Sequence, residues 1–553
     1  MAGARGVIIG LIIIIIILAG VAAYLGTQVS KPAKTITVTS TVTKTVTIGG
    51  KTVTVTKTLT TTATTAVTRT MVTTATKTVT ASPKPTALKK VTLTIEYCEP
   101  FKDLFKPAIA KFIEYEKSKG YDVTVKEIMI PYGVDCSTKI TQDLAAGTAG
   151  DVFTGDSFML DSYVTAKYLY PITNFVQNWP DWSQWPKPLR DMVTFKGQVW
   201  GIMIDTDVRM LYYRMDEFKL AGIQVPWQPE TWEDIIKAAL TLKQNADKIK
   251  SALGISEFYP IMVPAGLKWG EATPCQGFYM LLVGADKPPY NKLYDYKNDK
   301  WVCKSTAIYR AFKFYIDIYE KYKVGDIDVN EAADPWTAHR QTFSKGIVAM
   351  DLGGSWEFYE GWGPKGIAPL PVCLQKCGCS GKCTTDEQKK CYLDCEWKTI
   401  GIAKMPGYSG GKEGEPKYVT VSGGWVVEIN AKLASNPTKV QLAWDFIKIL
   451  TSRDNEAQYA AKYGKVCPRL DALQVSIYSK DPYIRLIVPF LKFTNYRDAL
   501  PDYPKVSKII QIVTEKIIKG QITNADQALD MYCNMLKQVV GPNNVVYWPV
   551  RKS

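Results

Sequence analysis

Histidine is almost absent from this 553-residue chain, which contains His339 alone. Ser-His-Asp catalysis, Cys-His catalysis and multi-histidine metal sites would all have to use this one residue. It falls in an ordinary helical run, residues 336–343, and we expect it at the surface. The chain also has no G-x-x-x-x-G-K-[ST] sequence, which excludes the usual phosphate-binding loop of an ATPase. Histidine-based catalysis and a multi-histidine metal site are therefore disfavoured, and we expect no enzyme activity, no cofactor and no bound metal.

Acidic residues are missing from the first 95 positions, and Glu96 is the first of them. Eleven of the 68 lysine and arginine residues precede Glu96, so the remainder has 57 basic against 53 acidic side chains. A nucleic-acid-binding protein concentrates positive charge on its folded domain. We therefore expect no nucleic-acid partner, and we interpret the basic N-terminal part as a solvated segment beside a membrane.

An uncharged apolar run covers residues 7–25, close to the ~20 residues that a helix needs to cross a bilayer. Arg5 precedes the run, which by the positive-inside tendency leaves everything after Gly26 outside the cell. Two other interpretations stay open. The small residues at 19–23 imitate a secretory cleavage site. Arg5-Gly6 resembles the processing site of archaeal type IV pilin-like signal peptides, although Leu11 replaces the usual glutamate. We predict residues 1–26 to be a membrane anchor or a pilin-like signal segment.

Residues 27–90 are dominated by threonine and valine with scattered lysine, and they contain no acidic residue and no cysteine. This is a low-complexity composition, not that of a packed domain. Thr/Val alternation over residues 35–58, interrupted by Gly49-Gly50, also fits a β-hairpin, which would be marginally stable alone. We favour an extended stalk, glycosylated on its threonines.

Beyond Lys90 the sequence alternates between strand and helix patterns. Residues 91–97 and 123–130 are compact β runs, and residues 103–117 place apolar side chains on one helical face. This βαβ order predicts an α/β fold with a parallel sheet. Ligands of such sheets bind beyond the carboxyl ends of the strands, which indicates Glu99 and Tyr132 as binding residues.

Twelve cysteines, an even number, favour disulfides in a domain that lies outside the cell. Cys98 and Cys136 follow neighbouring predicted strands and form a plausible pair. Six more lie in the pattern C-x3-C-x-C-x3-C-x7-C-x3-C, which is not a familiar zinc spacing. The disulfide candidates are Cys98, Cys136, Cys275, Cys303, Cys373, Cys377, Cys379, Cys383, Cys391, Cys395, Cys467 and Cys533.

Nine short motifs occur in order through the folded part: GDVF at 150–153, LYPI at 169–172, KGQVWG at 196–201, LYYR at 211–214, PETWED at 229–234, FSKGIVAM at 343–350, GSW at 354–356, GGW at 423–425 and AWDF at 443–446. In this order and spacing, residues 91–541 resemble the family 1 extracellular solute-binding proteins of ABC importers, the group that includes maltose-binding protein. The resemblance implies a two-lobed, periplasmic-binding-protein-like fold of type II, joined by hinge strands that close over a ligand.

The resemblance also implies the domain plan. Residues 91–205 form the first part of lobe 1, and residues 206–550 form lobe 2 and the remainder of lobe 1. The chain crosses between the lobes more than once. Residues 373–395 are a cysteine-rich insertion.

A sugar presents hydroxyls at its rim and C–H groups on its faces, so its receptor needs aromatic planes, carboxylates and hydroxyls. The resemblance places such side chains at the cleft between the lobes. With the two residues at the strand ends, the expected ligand-binding residues are Trp356, Trp425, Trp269, Asp156, Ser157, Asp205, Asp207, Glu99 and Tyr132.

The function that the resemblance implies is capture of a sugar or oligosaccharide outside the cell and its delivery to the permease subunits of an ABC transporter. The protein would be held at the cell membrane by its N-terminal helix, with the folded part extracellular. Two alternatives stay open. The pilin-like start and the stalk also suit a surface or filament subunit, and the abundant carboxylates also suit a surface glycoside hydrolase.

Overall fold

A computed structural model describes residues 36–48, 51–63, 88–132 and 134–552. The chain divides into two compact units, Met1–Thr86 and Ala87–Ser553. The apolar segment predicted to cross the membrane, residues 7–25, lies outside the described residues. Among the helices that the structure does describe, none combines the length and the apolar character that a bilayer span requires.

The first unit contains a long β-hairpin of β1 (Ile36–Ile48) and β2 (Lys51–Ala63). The strands are antiparallel, with Ile36 opposite Ala63 and Ile48 opposite Lys51. Threonine and valine are β-branched residues, which favour the extended backbone of a strand. For these residues the hairpin alternative is therefore right, and the role of the segment as a stalk stays a prediction.

The strands of the second unit alternate with helices along the chain. They are β3 Lys89–Cys98, β4 Tyr121–Ile130, β5 Val152–Asp156, β6 Thr194–Phe195, β7 Gln198–Val199, β8 Gly201–Met203, β9 Arg209–Arg214, β10 Tyr259–Met262, β11 Tyr294–Asp295, β12 Lys300–Lys304, β13 Val348–Gly354, β14 Ile400–Ala403, β15 Met405–Pro406, β16 Tyr418–Val421, β17 Trp425–Ile429, β18 Thr494–Asn495 and β19 Val545–Tyr547.

The α-helices cover the faces of the sheets. They are α1 Lys102–Ser118, α2 Cys136–Ala146, α3 Leu160–Thr165, α4 Thr173–Gln177, α5 Lys187–Met192, α6 Met215–Leu220, α7 Trp232–Gln244, α8 Ala246–Leu253, α9 Tyr279–Leu282, α10 Thr306–Tyr315, α11 Ile327–Glu331, α12 Pro335–Lys345, α13 Pro371–Lys376, α14 Asp386–Thr399, α15 Pro437–Leu450, α16 Arg453–Tyr463, α17 Ser476–Ser479, α18 Pro482–Ile487, α19 Tyr503–Ile518 and α20 Ala525–Val540.

Lobe 1 is built on a five-stranded sheet of order β4-β3-β5-β17-β8. Strands β3 and β4 are parallel and flank α1, which confirms the predicted βαβ opening. Helix α1 buries Leu104, Phe105, Ala108 and Phe112 against this sheet, as its apolar spacing predicts. Strand β17 joins the sheet antiparallel to both β5 and β8.

Lobe 2 is built on a four-stranded sheet of order β10-β13-β9-β14. Its strands carry apolar side chains on both faces, because successive residues of a strand point to opposite sides. On β9, Leu211 and Tyr213 join one buried core, whereas Met210 and Tyr212 join the other. Lobe 2 is therefore a three-layer α/β structure, and the predicted α/β class is confirmed.

The chain passes from the lobe 1 sheet to the lobe 2 sheet between β8 and β9, and it returns between β16 and β17. The two crossing segments are hydrogen-bonded to each other. Thr206 Oγ1 donates to Gly423 O at 3.1 Å, and Ser422 Oγ donates to Asp207 O at 2.5 Å. A third passage follows α16, where Val466 pairs with Thr206.

Five disulfides join ten of the twelve cysteines. The pairs are Cys98–Cys136, Cys303–Cys533, Cys373–Cys395, Cys377–Cys391 and Cys379–Cys383. Cys275 and Cys467 are buried free thiols, so their inclusion among the disulfide candidates is wrong. They belong to the cores on opposite faces of the lobe 2 sheet, which keeps them apart.

Candidate functional site

A cleft of about 660 Å³ lies between the two lobes, bordered by the crossing segments. Lobe 1 contributes the carboxyl ends of β3, β4 and β5 and the start of β17, as expected for a sheet of this kind. Lobe 2 contributes the 268–276 segment, the N-terminal half of α12 and the loop after β13. The volume suits a ligand of small-molecule or oligosaccharide size.

The walls of the cleft are strongly aromatic. Trp269, Trp336 and Trp356 line it on lobe 2, and Phe101 and Trp425 line it on lobe 1. We call the three lobe 2 residues the tryptophan wall. The rings of Trp269 and Trp336 are 5.3 Å apart at 69°, and those of Trp336 and Trp356 are 6.3 Å apart. This arrangement presents broad apolar faces to whatever fills the cleft.

Gly424 fixes the approach of Trp425 to the cleft. Its φ of +139° lies in the region that favours glycine, and a Cβ there would collide with the Asp205 carbonyl oxygen. Trp425 N in turn donates to Asp205 Oδ1 at 2.7 Å. The GGW motif therefore serves a tight crossing segment that carries an aromatic side chain at its end.

Arg497 holds two carboxylates at one end of the cleft. Its Nη2 donates to Asp156 Oδ1 at 3.0 Å, and its Nη1 donates to Glu271 Oε1 at 2.9 Å. Burial raises the pKa of Asp156 to about 6, although Arg497 opposes this shift. The guanidinium is thus neutralised by protein groups.

Two further ion pairs lie at the crossing segments. Lys465 Nζ donates to Asp205 Oδ2 at 3.0 Å, and Arg209 Nη1 donates to Asp207 Oδ1 at 2.5 Å. Asp207 Oδ1 also accepts from Gly423 N at 2.9 Å. Burial raises the pKa of Asp205, although Lys465 opposes the shift. Both aspartates therefore bind the second crossing segment and a neighbouring cation as well as lining the cleft.

The structure brings seven of the nine expected ligand-binding residues to the cleft wall: Trp356, Trp425, Trp269, Asp156, Asp205, Asp207 and Tyr132. Glu99 and Ser157 are not part of the described lining. Glu99 Oε2 accepts from Tyr132 N at 3.1 Å and so supports the loop behind it. Ser157 is buried, and its backbone N donates to Gly424 O at 3.0 Å.

Tyr132 reaches across the cleft from lobe 1 to lobe 2. Its Oη donates to Glu360 Oε1 at 2.6 Å. Burial of the hydroxyl, and after it the neighbouring Glu360 carboxylate, raise the pKa of Tyr132. This bond closes one side of the cleft, and we call it the interlobe bond.

The expectation that His339 lies at the surface is wrong, because its side chain is 2% exposed and bound to Asp351 and Glu357. The sequence reasoning also missed Trp336, Arg340 and Arg497 of the cleft lining. Trp336 and Arg340 are four residues apart on α12 and so share one helical face, a spacing that pointed to them. Arg497 follows a two-residue strand, where no local pattern marks it.

Comparison with known proteins supplies the family. Residues 109–485 match the family model described as bacterial extracellular solute-binding protein. A lactose-binding protein of Rhizobium radiobacter is 28% identical over 141 residues, which cover 24% of this chain and 33% of that protein. The aligned part thus spans about a third of the length of this curated relative.

Solved structures share the fold over their whole length. A solute-binding protein of an ABC transporter from Thermotoga lettingae, bound to α-D-tagatose, is 22% identical with a TM-score of 0.60, covering 81% of this chain and 100% of that one. A maltose-bound protein of T. maritima is 21% identical with a TM-score of 0.61 and the same coverage. A ribitol-bound protein from Agrobacterium radiobacter is 20% identical with a TM-score of 0.59, covering 82% of this chain and 100% of that one.

At these identities the structural likeness establishes the fold. The family match extends over well more than half of the chain, and it includes both crossing segments and most of the cleft. This chain therefore belongs to the bacterial extracellular solute-binding protein family.

Proposed function

We propose that this chain is the extracellular receptor of an ABC-type importer, which captures a neutral sugar or oligosaccharide in the cleft and delivers it to a membrane permease. One observation carries the proposal: the cleft combines broad aromatic faces with buried charged groups that already neutralise one another in pairs.

The aromatic faces suit the C–H surfaces of a sugar ring. Trp356 and Trp425 are partly exposed on opposite sides of the cleft, whereas Trp269 is 3% exposed and supports Trp336 from behind. A ring bound between Trp356 and Trp425 would bury apolar surface on both sides. We therefore assign these two residues to direct contact and Trp269 to support.

The charged groups favour an uncharged, hydroxyl-rich ligand. Asp156 and Glu271 share Arg497, Asp205 binds Lys465, and Asp207 binds Arg209. A charged ligand bound at these groups would have to compete with one of the buried pairs, which is costly. A hydroxyl can instead donate to the remaining carboxylate lone pairs and accept from the remaining N–H groups.

The similar proteins support a sugar or a sugar-like polyol. Those described above are named or titled for lactose, α-D-tagatose, maltose and ribitol, all of them neutral and rich in hydroxyls. The cleft volume of about 660 Å³ leaves room for more than one sugar ring. We therefore favour an oligosaccharide over a monosaccharide.

Binding would shift the protein toward the closed form, because the ligand contacts both lobes only when they are close together. The crossing segments keep their mutual hydrogen bonds, so each lobe can move as a body about them. The closed lobes would then be presented to the permease, while a separate ATPase supplies the energy.

The proposal includes attachment to the membrane. The apolar run at residues 7–25 would act as the anchor, either as a plain spanning helix or after processing at Gly6, and the threonine-rich segment would act as the tether. Mass measurement of the native protein tests this, since a protein that begins after Ala23 would have no anchor.

A thermal-shift screen of the full-length protein against sugars, polyols and short peptides tests the ligand class. A ligand that binds only the folded state raises its stability, by about 2.7 kcal/mol at 100 times Kd. We expect maltotriose or a related oligosaccharide to raise the Tm, and a Trp356→Ala variant to lose about tenfold in affinity with the ring contact.

The matched control is Trp548→Ala, since Trp548 is also partly buried but packs on Tyr290 outside the cleft lining. It should keep the affinity of the wild type. A Tm shift with peptides and none with any sugar would contradict the proposed ligand class.

A further inference from the structure

A buried cluster of four ionisable side chains lies directly behind the tryptophan wall. It contains His339 and Arg340 of α12, Asp351 of β13 and Glu357, which follows that strand. All four are at most 4% exposed. Nothing in the proposed binding mechanism uses His339, which we place outside the cleft lining. We call these four residues the ion cluster.

Glu357 is the centre of the ion cluster. Its carboxylate accepts from Arg340 Nε at 2.6 Å and from Arg340 Nη2 at 3.0 Å. The same carboxylate accepts from Trp356 Nε1 at 2.6 Å. His339 Nε2 lies 3.5 Å from Glu357 Oε1, and His339 Nδ1 is 2.9 Å from Asp351 Oδ2. One imidazole therefore lies between two buried carboxylates, hydrogen-bonded to Asp351 and within ion-pair distance of Glu357.

The imidazole also contacts the tryptophan wall itself. Its ring centre is 5.2 Å from that of Trp269 and 6.0 Å from that of Trp336. Through Glu357 it is connected to Trp356, the third member of the wall. The His339 ring thus adjoins every member of the wall either directly or through one carboxylate.

A protonated histidine balances the charges of the four residues when both carboxylates are ionised; burial raises the pKa of Asp351, and the neighbouring imidazolium opposes that shift. Asp351 and Glu357 are two carboxylates, and Arg340 supplies one permanent cation. The other titratable groups facing the cluster are Glu360, 4.0 Å from Arg340, and four tyrosines: Tyr132, Tyr212 of the adjacent strand β9, Tyr319 and Tyr483. The two carboxylates outweigh the effect of burial and raise the pKa of His339 to about 9. The imidazolium therefore completes the buried ion cluster at neutral pH.

We propose that His339 is a positioning residue for the ligand site: its imidazolium fixes the orientation of Trp269, Trp336 and Trp356 and thereby sets the affinity of the cleft for a ligand that it does not touch. The effect on affinity rests on the proposed function, whereas the effect on the tryptophans does not.

The single histidine makes the test direct, because ¹⁵N-histidine labelling of the full-length protein gives one imidazole signal pair without assignment. We expect both ring nitrogens to be protonated at pH 7. We expect the imidazole to titrate near pH 9 and the near-UV circular dichroism of tryptophan to change with the same midpoint. A near-UV spectrum that stays constant through the imidazole titration would overturn the proposal.

A His339→Gln variant provides the second measurement. It should show an altered tryptophan spectrum at pH 7 and lack the alkaline transition, and titrating it in parallel corrects for tyrosine ionisation. Glu217→Gln is the matched control, since Glu217 is buried beside Arg214 elsewhere in lobe 2. A wild-type spectrum in His339→Gln would overturn the proposal.

Each arm decides alone if the other fails. If His339→Gln does not fold, the titration of the wild type tests the proposal by itself. If the imidazole keeps its proton until alkaline unfolding, the tryptophan spectrum of the variant at pH 7 tests it by itself. With maltotriose as probe, we expect about tenfold weaker binding in His339→Gln, because three ordered side chains lose their support. If the wild type does not bind maltotriose, that result counts against the proposed function. The imidazole titration and the tryptophan spectra then still decide whether His339 positions the tryptophan wall.

Discussion

Glu428 shows how single residues in this protein are explained only by their neighbours in the fold. It is buried on β17, and neither of its carboxylate oxygens has a hydrogen-bond partner among the described residues. The carboxyl group occupies space that Gly155 leaves open on β5, since a Cβ at that position would collide with it. Burial raises the pKa of Glu428 well above its ordinary range and so favours the neutral form of the carboxyl group.

We expect Glu428→Gln to change the pH dependence of stability. Because the folded-state pKa is raised, the wild-type carboxyl stabilises the fold fully below the unfolded pKa, near 4.5, and this stability is lost as pH rises. The loss approaches about 1.4 kcal/mol per pH unit for one proton. Urea unfolding at pH 4 and pH 7 should therefore show a smaller pH dependence in Glu428→Gln. An unchanged difference between the two pH values would contradict this expectation.

The sequence predicted the aromatic members of the cleft better than its charged members. Trp356 and Trp425 belong to short motifs with glycine, which indicate tight segments near a ligand. Asp205 and Asp207 were predicted as ligand-binding residues, but whether a carboxylate is free or paired depends on Lys465 and Arg209. Lys465 is 260 residues from Asp205 in the chain, so no local pattern reveals that pairing.

At the scale of elements, the cysteine-rich insertion is a helical hairpin on lobe 2. Cys373–Cys395 and Cys377–Cys391 join α13 and its C-terminal end to α14. The insertion packs on the loop that contains Glu360, since Tyr392 Oη donates to Trp362 O at 2.6 Å. It thereby supports one wall of the cleft.

A Cys377→Ser/Cys391→Ser double variant lacks the Cys377–Cys391 bond, which closes a loop of about 15 residues. We expect its free energy of unfolding to be lower by about 3 kcal/mol. The Cys379→Ser/Cys383→Ser double variant is the matched control. It opens a shorter loop and should cost about 1 kcal/mol less. Denaturant melts of the three proteins measure both values, and a larger loss in the control would contradict the assignment.

Thiol counting checks the same connectivity. Alkylation of the denatured, unreduced protein should modify two cysteines, Cys275 and Cys467. Peptide mapping should find the label on those two peptides. Label on any cysteine of the insertion would contradict the pairing.

Local sequence patterns predicted the strands and helices of the opening more readily than the disulfide pairing of the cysteine-rich insertion. The βαβ opening is marked by periodicity alone, and β3, α1 and β4 appear where it predicts them. The pairing of the insertion was left open, although the C-x3-C spacings at 373/377 and 391/395 place both thiols on one side of each helix. Only the antiparallel packing of α13 on α14 selects one pairing from the alternatives.

At the scale of the whole molecule, the two lobes meet at two kinds of contact: those of the crossing segments, and those across the cleft, where Arg497 also pairs with Asp156 of lobe 1 and Glu271 of lobe 2. The crossing segments bind each other through main-chain and side-chain hydrogen bonds. The interlobe bond between Tyr132 and Glu360 lies at the cleft wall instead. The first kind is made within the connecting chain, whereas the second exists only when the lobes are close.

We expect Tyr132→Phe to favour the open form. It removes one hydrogen bond to a carboxylate at a site that is 46% exposed, a loss of about 1 kcal/mol or about fivefold in affinity. Calorimetry with maltotriose and small-angle scattering without ligand should show weaker binding and a larger radius of gyration. Tyr115→Phe on α1 is the control and should match the wild type. An unchanged radius together with unchanged affinity would contradict a closing role.

The threonine hairpin has a consequence for reach. Drawn out in line, its 28 residues would span roughly 90–100 Å. Paired as β1 and β2, they form a ribbon roughly 40 Å long whose two ends, Ile36 and Ala63, are neighbours. The hairpin therefore adds almost nothing to the distance between the chain before it and the chain after it. A receptor tethered in this way would stay closer to its membrane than the number of residues in the threonine-rich segment suggests.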